Sequence, residues 1–184
     1  MNFRLPTLSI VLFLGIIYFL YTGLDKDPTL IPSPLIGKTV PDFKSTDLIS
    51  GENITNKELL GKFYILNVWA SWCYGCSLEH NHLMNIYKNN EIDIFGLNYK
   101  DEKNSAINWL KERGNPYKNV IVDVNGNIAI DYGVYGAPET FIINEDGVII
   151  YKHVGPIDQS FYNKIPKYRE LYEYIYYNNL IITD

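Results

Sequence analysis

The chain holds two cysteines, Cys73 and Cys76, both within the stretch Asn67 to Cys76, NVWASWCYGC. Thiols at that spacing admit four chemistries. Covalent attachment of a c-type haem needs a histidine directly after the second cysteine, and Ser77 stands there instead. Zinc needs four ligands, for which the nearest set is Cys73, Cys76, His80 and His82. On one helix at ~100° per residue, His82 turns away from the face that carries the cysteines. Neither a metal nor any other cofactor is expected, and His80 reads as a polar helix residue near the rim of the site. A structural staple acts by closing a loop in the unfolded chain, and so short a loop closes little. Thiol–disulfide exchange is left.

The position of the pair supports that chemistry. Cys73 follows an apolar stretch and stands where a helix begins, so unpaired N–H groups and the positive end of the helix dipole favour its thiolate. It is the expected nucleophile. Cys76, nearly one turn on, can attack a mixed disulfide formed at Cys73, release the reduced substrate and close the Cys73–Cys76 disulfide. Cys76, Glu79, Leu83 and Ile86 share one helical stripe that turns inward. Glu79 is thus a carboxyl in an apolar row. Either it bends out to solvent or caps a neighbour, or it is a partly buried acid that exchanges a proton with Cys76.

These residues need a scaffold to hold them. Lys62 to Ala70, KFYILNVWA, is too continuously apolar for a half-exposed strand and reads as a central one. A helix is expected from Tyr74 to Lys88, a strand from Ile92 to Tyr99, and an amphipathic helix from Lys103 to Arg113 with Ala106, Ile107 and Leu110 inward. A strand from Asn119 to Val124 follows, then a hairpin turning at Glu145-Asp146-Gly147. A helical tail from Lys167 carries Tyr168, Leu171, Tyr172 and Ile175 as a packing stripe. The succession is that of an α/β sheet flanked by helices.

The 184 residues suffice for one domain and an appendage. With 16 Lys+Arg against 21 Asp+Glu the net charge is -5, and no basic face offers itself to nucleic acid. The 16 tyrosines belong to a bias shared with Ile, Asn and Lys rather than to a tyrosine-based function. Leu5 to Leu24 carries no charge and is long enough to cross a bilayer as a helix. An uncleaved anchor is favoured over a signal peptide because no small-x-small cleavage pair closes the stretch. The expected division is a cytoplasmic stub at 1–4, a transmembrane anchor at 5–24, a proline-rich linker at 25–33 and a domain at 34–184. The few flanking charges lean toward an inside amino terminus, which sets the cysteines on the oxidising side of a bacterial inner membrane, in need of an electron supply.

WASWCYGC followed much later by GAPETF resembles a thioredoxin-fold oxidoreductase, in which a cis-proline loop lies against the cysteine pair; Pro138 is the matching proline. SPLIGKTVPDF (Ser33 to Phe43), NVWASWCYGCSLEH (Asn67 to His80), GLNYKD (Gly96 to Asp101), GNPY (Gly114 to Tyr117), DYGVYGAPETF (Asp131 to Phe141) and YKHVGP (Tyr151 to Pro156) run in the order of the CcmG/DsbE group. That resemblance implies a thioredoxin-like fold, a central mixed sheet flanked by helices, with an N-terminal extension and a βα insert. It implies that the protein keeps the haem-attachment thiols of apocytochrome c reduced, directly or through a thiol partner. A membrane electron carrier of the DsbD/CcdA type would re-reduce it. By motif, Cys73 is nucleophile, Cys76 resolver and Pro138 the cis-proline, with Glu79 and Glu139 as acids near the site. Trp72, Tyr74, Gly75 and the loop Gly133 to Ala137 would frame the substrate groove.

The chain departs from the family in having Tyr74-Gly75 where a proline is frequent between the cysteines. Reduction potential and thiol acidity are therefore not carried over, and Gly75 reads as added backbone freedom at the helix start. Two other functions fit the same residues. One is a TlpA- or ResA-like reductase with another extracytoplasmic client; the other is a thioredoxin-like binding module that does not turn over.

Overall fold

A computed structural model of the chain describes residues 4–24, 34–89 and 92–177, with side chains for residues 9–22, 34–89 and 92–170. The linker 25–33, Ser33 at the head of the first motif, and the side chains of Leu171, Tyr172 and Ile175 lie outside the described residues. The chain divides into two compact units between Pro32 and Ser33.

The first unit holds helix α1 (Arg4–Leu24), 21 residues long, whose described side chains, Phe13, Tyr18 and Phe19 among them, are exposed. Among the described residues no helix is long and apolar enough to cross a membrane. Side chains are described only for residues 9–22 of α1, a stretch shorter than the ~20 residues a span requires. The span expected over Leu5–Leu24 has no counterpart among the described residues.

The second unit is built on a five-stranded sheet in the order β5-β4-β3-β6-β7. Its strands are β3 (Tyr64–Trp69), β4 (Asp93–Tyr99), β5 (Asn119–Asp123), β6 (Glu139–Ile143) and β7 (Ile149–Val154). Strands β4 and β5 run parallel to β3, while β6 is antiparallel to β3 and β7 to β6. Helix α2 (Tyr74–Asn89) connects β3 to β4, and α3 (Lys103–Arg113) connects β4 to β5. Every residue of β3 is buried, as its near-continuous apolar character requires of a strand covered on both faces.

Period-2 alternation divides β3 between two cores. Ile65 and Trp69 face α2, α3 and α5 (Gln159–Tyr177), packing with Leu83, Ile86, Ala106, Leu110, Phe161 and Ile165. Tyr64, Leu66 and Val68 face the other way, toward Phe43, Ile54, Leu59 and Ala129. Ala106 and Leu110 are buried and Ile107 partly so, as the amphipathic pattern of α3 predicts.

The second core is covered by elements that the hydrophobic pattern does not reveal. They are a hairpin of β1 (Lys44–Thr46) and β2 (Asn53–Thr55), a 3-10 turn at Asn56–Leu59, and the short α4 (Asn127–Asp131). The hairpin is tied to the edge strand β5 by polar groups: Leu48 N–H donates to Val120 O at 2.8 Å, and Asp47 accepts from Val120 N–H at 2.7 Å. Helix α5 begins before the expected Lys167 and runs through Pro166. Phe161 and Ile165, buried against the sheet, hold the turn before the proline in place. Tyr168 stacks on Tyr151 with ring centroids 4.1 Å apart, so the described part of the tyrosine stripe packs on β7.

Leu83 sits at the centre of the α2 contact with the sheet and is 1% exposed. Leu83→Ala is expected to cost about 2–5 kcal/mol. The check is a urea titration, in which the midpoint falls while the slope is retained.

Candidate active site

The end of β3 and the turn into α2 carry the cysteine pair. Asp101, just beyond β4, fixes that turn by accepting from Ser71 N–H at 2.6 Å and from Ser71 Oγ at 2.7 Å. It also accepts from Asn98 Nδ2 at 3.0 Å. Lys100, between Tyr99 and Asp101, takes φ of 47°, and its carbonyl accepts from Trp72 Nε1 at 3.0 Å. The indole of Trp72 is thereby held while remaining largely exposed. GLNYKD is, in structural terms, the brace of the cysteine turn.

Cys73 and Cys76 form a disulfide with Cα atoms 5.3 Å apart, and they are 4% and 2% exposed. Cys73 directly precedes α2, and Cys76 N–H points at Cys73 Sγ at 3.0 Å. When the bond is reduced, that N–H and the unpaired amides of the first turn favour charge on the Cys73 sulfur.

The Ala137–Pro138 peptide is cis, and Pro138 is buried beside the first turn of α2. A Cβ added at Gly75 would lie 2.8 Å from Pro138 Cδ and 3.4 Å from Pro156 Cγ. Sequence reading gives Gly75 extra backbone freedom as its role. The structure adds a steric reason: only a residue without a side chain lets the proline loop approach the cysteine turn so closely. Tyr74, its neighbour, is exposed, as is Tyr135 in the loop before Pro138.

Glu79 is 0% exposed, so it does not bend out to solvent. Its Oε1 accepts from Asn67 Nδ2 at 2.8 Å, and its Oε2 accepts from Ile157 N–H at 2.9 Å. Burial pushes the carboxyl up to about 7, against the opposing pull of those two donors. A group that titrates there can hold or take up a proton near neutrality, one helical turn from Cys76.

Glu139 lies on the opposite face of the sheet. Its neighbour Phe141 belongs to the second core, whereas Ile142 belongs to the core that holds the cysteines. Glu139 Oε1 accepts from Tyr135 N–H at 3.0 Å, and Oε2 pairs with Lys152 Nζ at 2.8 Å, the two side chains being 1% and 3% exposed. The same ammonium donates to Gly133 O at 2.7 Å and lies 4.3 Å from the centre of the Tyr135 ring. Lys152 and Glu139 together therefore clamp the loop Gly133 to Ala137 onto β6 and β7. Glu139 is thus paired with Lys152 and bonded to the loop at Tyr135.

His80 departs from the expectation. It is 3% exposed, away from the rim, with Nε2 3.2 Å from Arg113 O and its ring edge-on to Trp109 at 4.5 Å. Burial holds its imidazole below the usual range. Trp109 of α3 packs against the ring there. Sequence reasoning also missed Asn67, Tyr117, Asp101 and Lys152 as members of the site. Asn67 alone left a signal, being the one polar residue in the apolar run YILNVW.

The chemistry open to this arrangement is disulfide exchange, and the class it defines is the thioredoxin-like thiol–disulfide oxidoreductase. Residues 35–171 match the Redoxin family. The chain is 43% identical over 148 residues to thiol:disulfide interchange protein DsbE of Allochromatium vinosum, a match spanning 80% of this chain and 82% of the relative. It is 46% identical over 134 residues to thiol:disulfide interchange protein DsbE of Escherichia coli K12, 72% of either chain. Among solved structures, the thioredoxin domain of a thiol-disulfide oxidoreductase from Bacteroides vulgatus superposes with a TM-score of 0.63 at 20% identity, over 74% of this chain and 99% of that one; this likeness is one of fold. The chain belongs to the Redoxin family and, within it, to the CcmG/DsbE group of thioredoxin-like proteins.

Two predictions follow from the geometry. Unfolded, Glu79 loses its proton near 4.5; folded, it keeps it to about 7. Between those values the unfolded state binds fewer protons, so stability of the oxidised protein falls as pH rises through the window, by on the order of 3 kcal/mol, and levels off above it. Urea titrations at pH 4.5 and pH 8 should show this decline, and Glu79→Gln should remove it. Gly75→Ala is expected to destabilise by about 1–3 kcal/mol through overlap with the Pro138 ring, measured by the same unfolding method. An unchanged midpoint would disprove the steric role.

Proposed function

We propose that this protein reduces the haem-attachment cysteines of apocytochrome c, directly or through a thiol partner, during maturation of c-type cytochromes. A membrane electron carrier of the DsbD/CcdA type would restore its thiols. The observation that carries this reading is a buried acid one turn below a buried cysteine pair, in a chain whose relatives are named DsbE.

The exchange runs in two displacements. The Cys73 thiolate attacks one sulfur of the client disulfide, a Cys73–client bond forms, and the client's other sulfur leaves as a thiolate that takes a proton. Cys76 then passes its proton to the Glu79 carboxylate and attacks Cys73 Sγ, and the client's remaining sulfur departs with the electron pair and takes a proton from water, while Glu79 gives its own back to solvent. The client has gained two electrons and two protons, and the Cys73–Cys76 disulfide has formed. Pro138 closes one wall of the groove without offering an N–H to the sulfurs, while Trp72, Tyr74, Gly75 and Ala137 line its mouth.

The setting belongs to the same proposal. Leu5 to Leu24 is free of charge, and α1 in its full extent of 21 residues would reach ~30 Å at ~1.5 Å per residue. An inner-membrane anchor with the catalytic domain on the periplasmic side places the thiols among oxidants and beside a membrane-borne donor of electrons.

Cys76→Ser, made in the native host, tests the client. Without a resolving thiol, Cys73 should stay joined to its partners, and mass spectrometry of those mixed disulfides is expected to identify apocytochrome c or a thiol protein of its maturation. Trapping of copper-site proteins or unrelated envelope proteins alone would sink the dedicated role in favour of a TlpA- or ResA-like reductase. A cysteine pair that never joins a partner would point to a binding module.

A further inference from the structure

Asn67 stands between Glu79 and a residue that no part of the proposed exchange employs. Its Nδ2 donates to Glu79 Oε1 at 2.8 Å and to Thr140 Oγ1 at 3.0 Å, while its Oδ1 accepts from Tyr117 Oη at 2.8 Å. Asn67 is 0% exposed and Tyr117 4% exposed, so these partners cannot be exchanged for bulk water.

A side-chain amide has two orientations that packing alone scarcely distinguishes. Turned over, Asn67 would present Oδ1 to Glu79, and a protonated carboxyl could then donate to it. In the orientation found, the carboxyl meets an N–H. Tyr117 decides between the two, because after such a turn its hydroxyl oxygen would have to accept from Nδ2 and its proton, turned away, would be left without an acceptor in a buried place.

Tyr117 cannot follow the amide round. Its ring stacks on Trp69 with centroids 5.4 Å apart and planes 20° apart. Gly96 makes room for it, since a Cβ there would lie 3.0 Å from Tyr117 Cγ. The adjoining backbone is tied by Lys118 N–H to Ile94 O at 2.8 Å.

We infer that Tyr117 is a positioning residue for the exchange reaction: through Asn67 it locks an amide N–H onto Glu79, so that the protein around the carboxyl only donates to it and Cys76 is left as the group with which Glu79 trades its proton. This rests on the acid role given to Glu79 in the proposed function. Both hydrogen bonds found at Glu79 agree with it, since Ile157 N–H is also a donor.

The titratable groups that surround Glu79 are few. Cys76 shares its helix, and Tyr117 approaches from the segment before β5, burial and the Glu79 charge both holding its hydroxyl protonated. From β7, His153 stands opposite Thr140 but turns to the Pro156 carbonyl, 3.3 Å away. Strands β3 and β6 contribute Asn67 and Thr140, which carry no charge.

Tyr117→Phe removes the hydroxyl and keeps the stacked ring. In the full chain in detergent micelles, with glutamate labelled at the carboxyl carbon, the Glu79 signal is the one lost in Glu79→Gln. In Tyr117→Phe the amide is free to turn and stabilise the protonated acid, so the Glu79 titration is expected to rise by about one pH unit, a tenfold gain in proton affinity. The pH profile for reduction of the Cys73–Cys76 disulfide by dithiothreitol should move with it. In that reaction the reagent's thiolate bonds to Cys73 Sγ, the Cys73–Cys76 bond breaks, and Cys76 leaves with the electron pair and takes the Glu79 proton. In a Glu79→Gln background, Tyr117→Phe should leave the profile unmoved.

A Glu79 titration unmoved by Tyr117→Phe overturns the lock, whatever the variant does to stability. Equal reduction rates for Glu79→Gln and the unaltered protein would overturn the acid role, and the positioning role with it. Should Tyr117→Phe not fold, the unaltered protein still decides. The Asn67 side-chain amide resonances should inflect at the pH where Glu79 titrates, and their failure to do so counts against the coupling.

Discussion

A carboxyl group without exposed surface must be met by donors or lose its charge, and the architecture around Glu79 answers that demand from four directions. Strand β3 brings Asn67, β6 brings Thr140 to hold Asn67, the segment after β7 brings the Ile157 amide, and the segment before β5 brings Tyr117. These segments are distant in sequence and adjacent only because β3 lies between β4 and β6 in the sheet. The central position of β3 is therefore as much a requirement of the acid as of the core. An apolar residue at 79 would pack well and need none of this.

The two acids of the site answer burial in different ways. Glu79 has only neutral donors and stays close to its proton. Glu139, across the sheet, has an ammonium within ion-pairing distance, and with it ties down the loop that carries Pro138. Equivalent by residue type, they divide into a carboxyl met by neutral donors and a carboxyl paired with an ammonium. Pairing is the difference, and pairing depends on which face of a strand each residue occupies.

Much of the frame was legible in the residues. β3, α2 and α3 announce themselves because burial on two faces or on one stripe writes a period into the sequence, and α3 spans Lys103–Arg113 as read. The β1–β2 hairpin and α4 leave no such trace: strands of three residues are too short for alternation, and Asp47 and backbone hydrogen bonds hold the hairpin in place. The cysteines and Pro138 were legible because their chemistry is rare. Tyr117 was not, being one tyrosine in a chain with 16, and Lys152 was hidden because a lysine in a hairpin ordinarily faces water. Both acquire their roles from partners more than ten residues away, and spacing along the chain carries no information about that.

The disulfide is nearly closed off, with Cys73 at 4% and Cys76 at 2% exposure. A sulfur with so small a window is slow to meet freely diffusing thiols and oxidants, since exchange needs an in-line approach to the attacked atom. A disulfide held against the exposed Trp72, Tyr74 and Tyr135 would gain that approach. For a pair so enclosed, the rate of exchange depends on how well a reacting disulfide can be seated beside it, and not on thiol concentration alone.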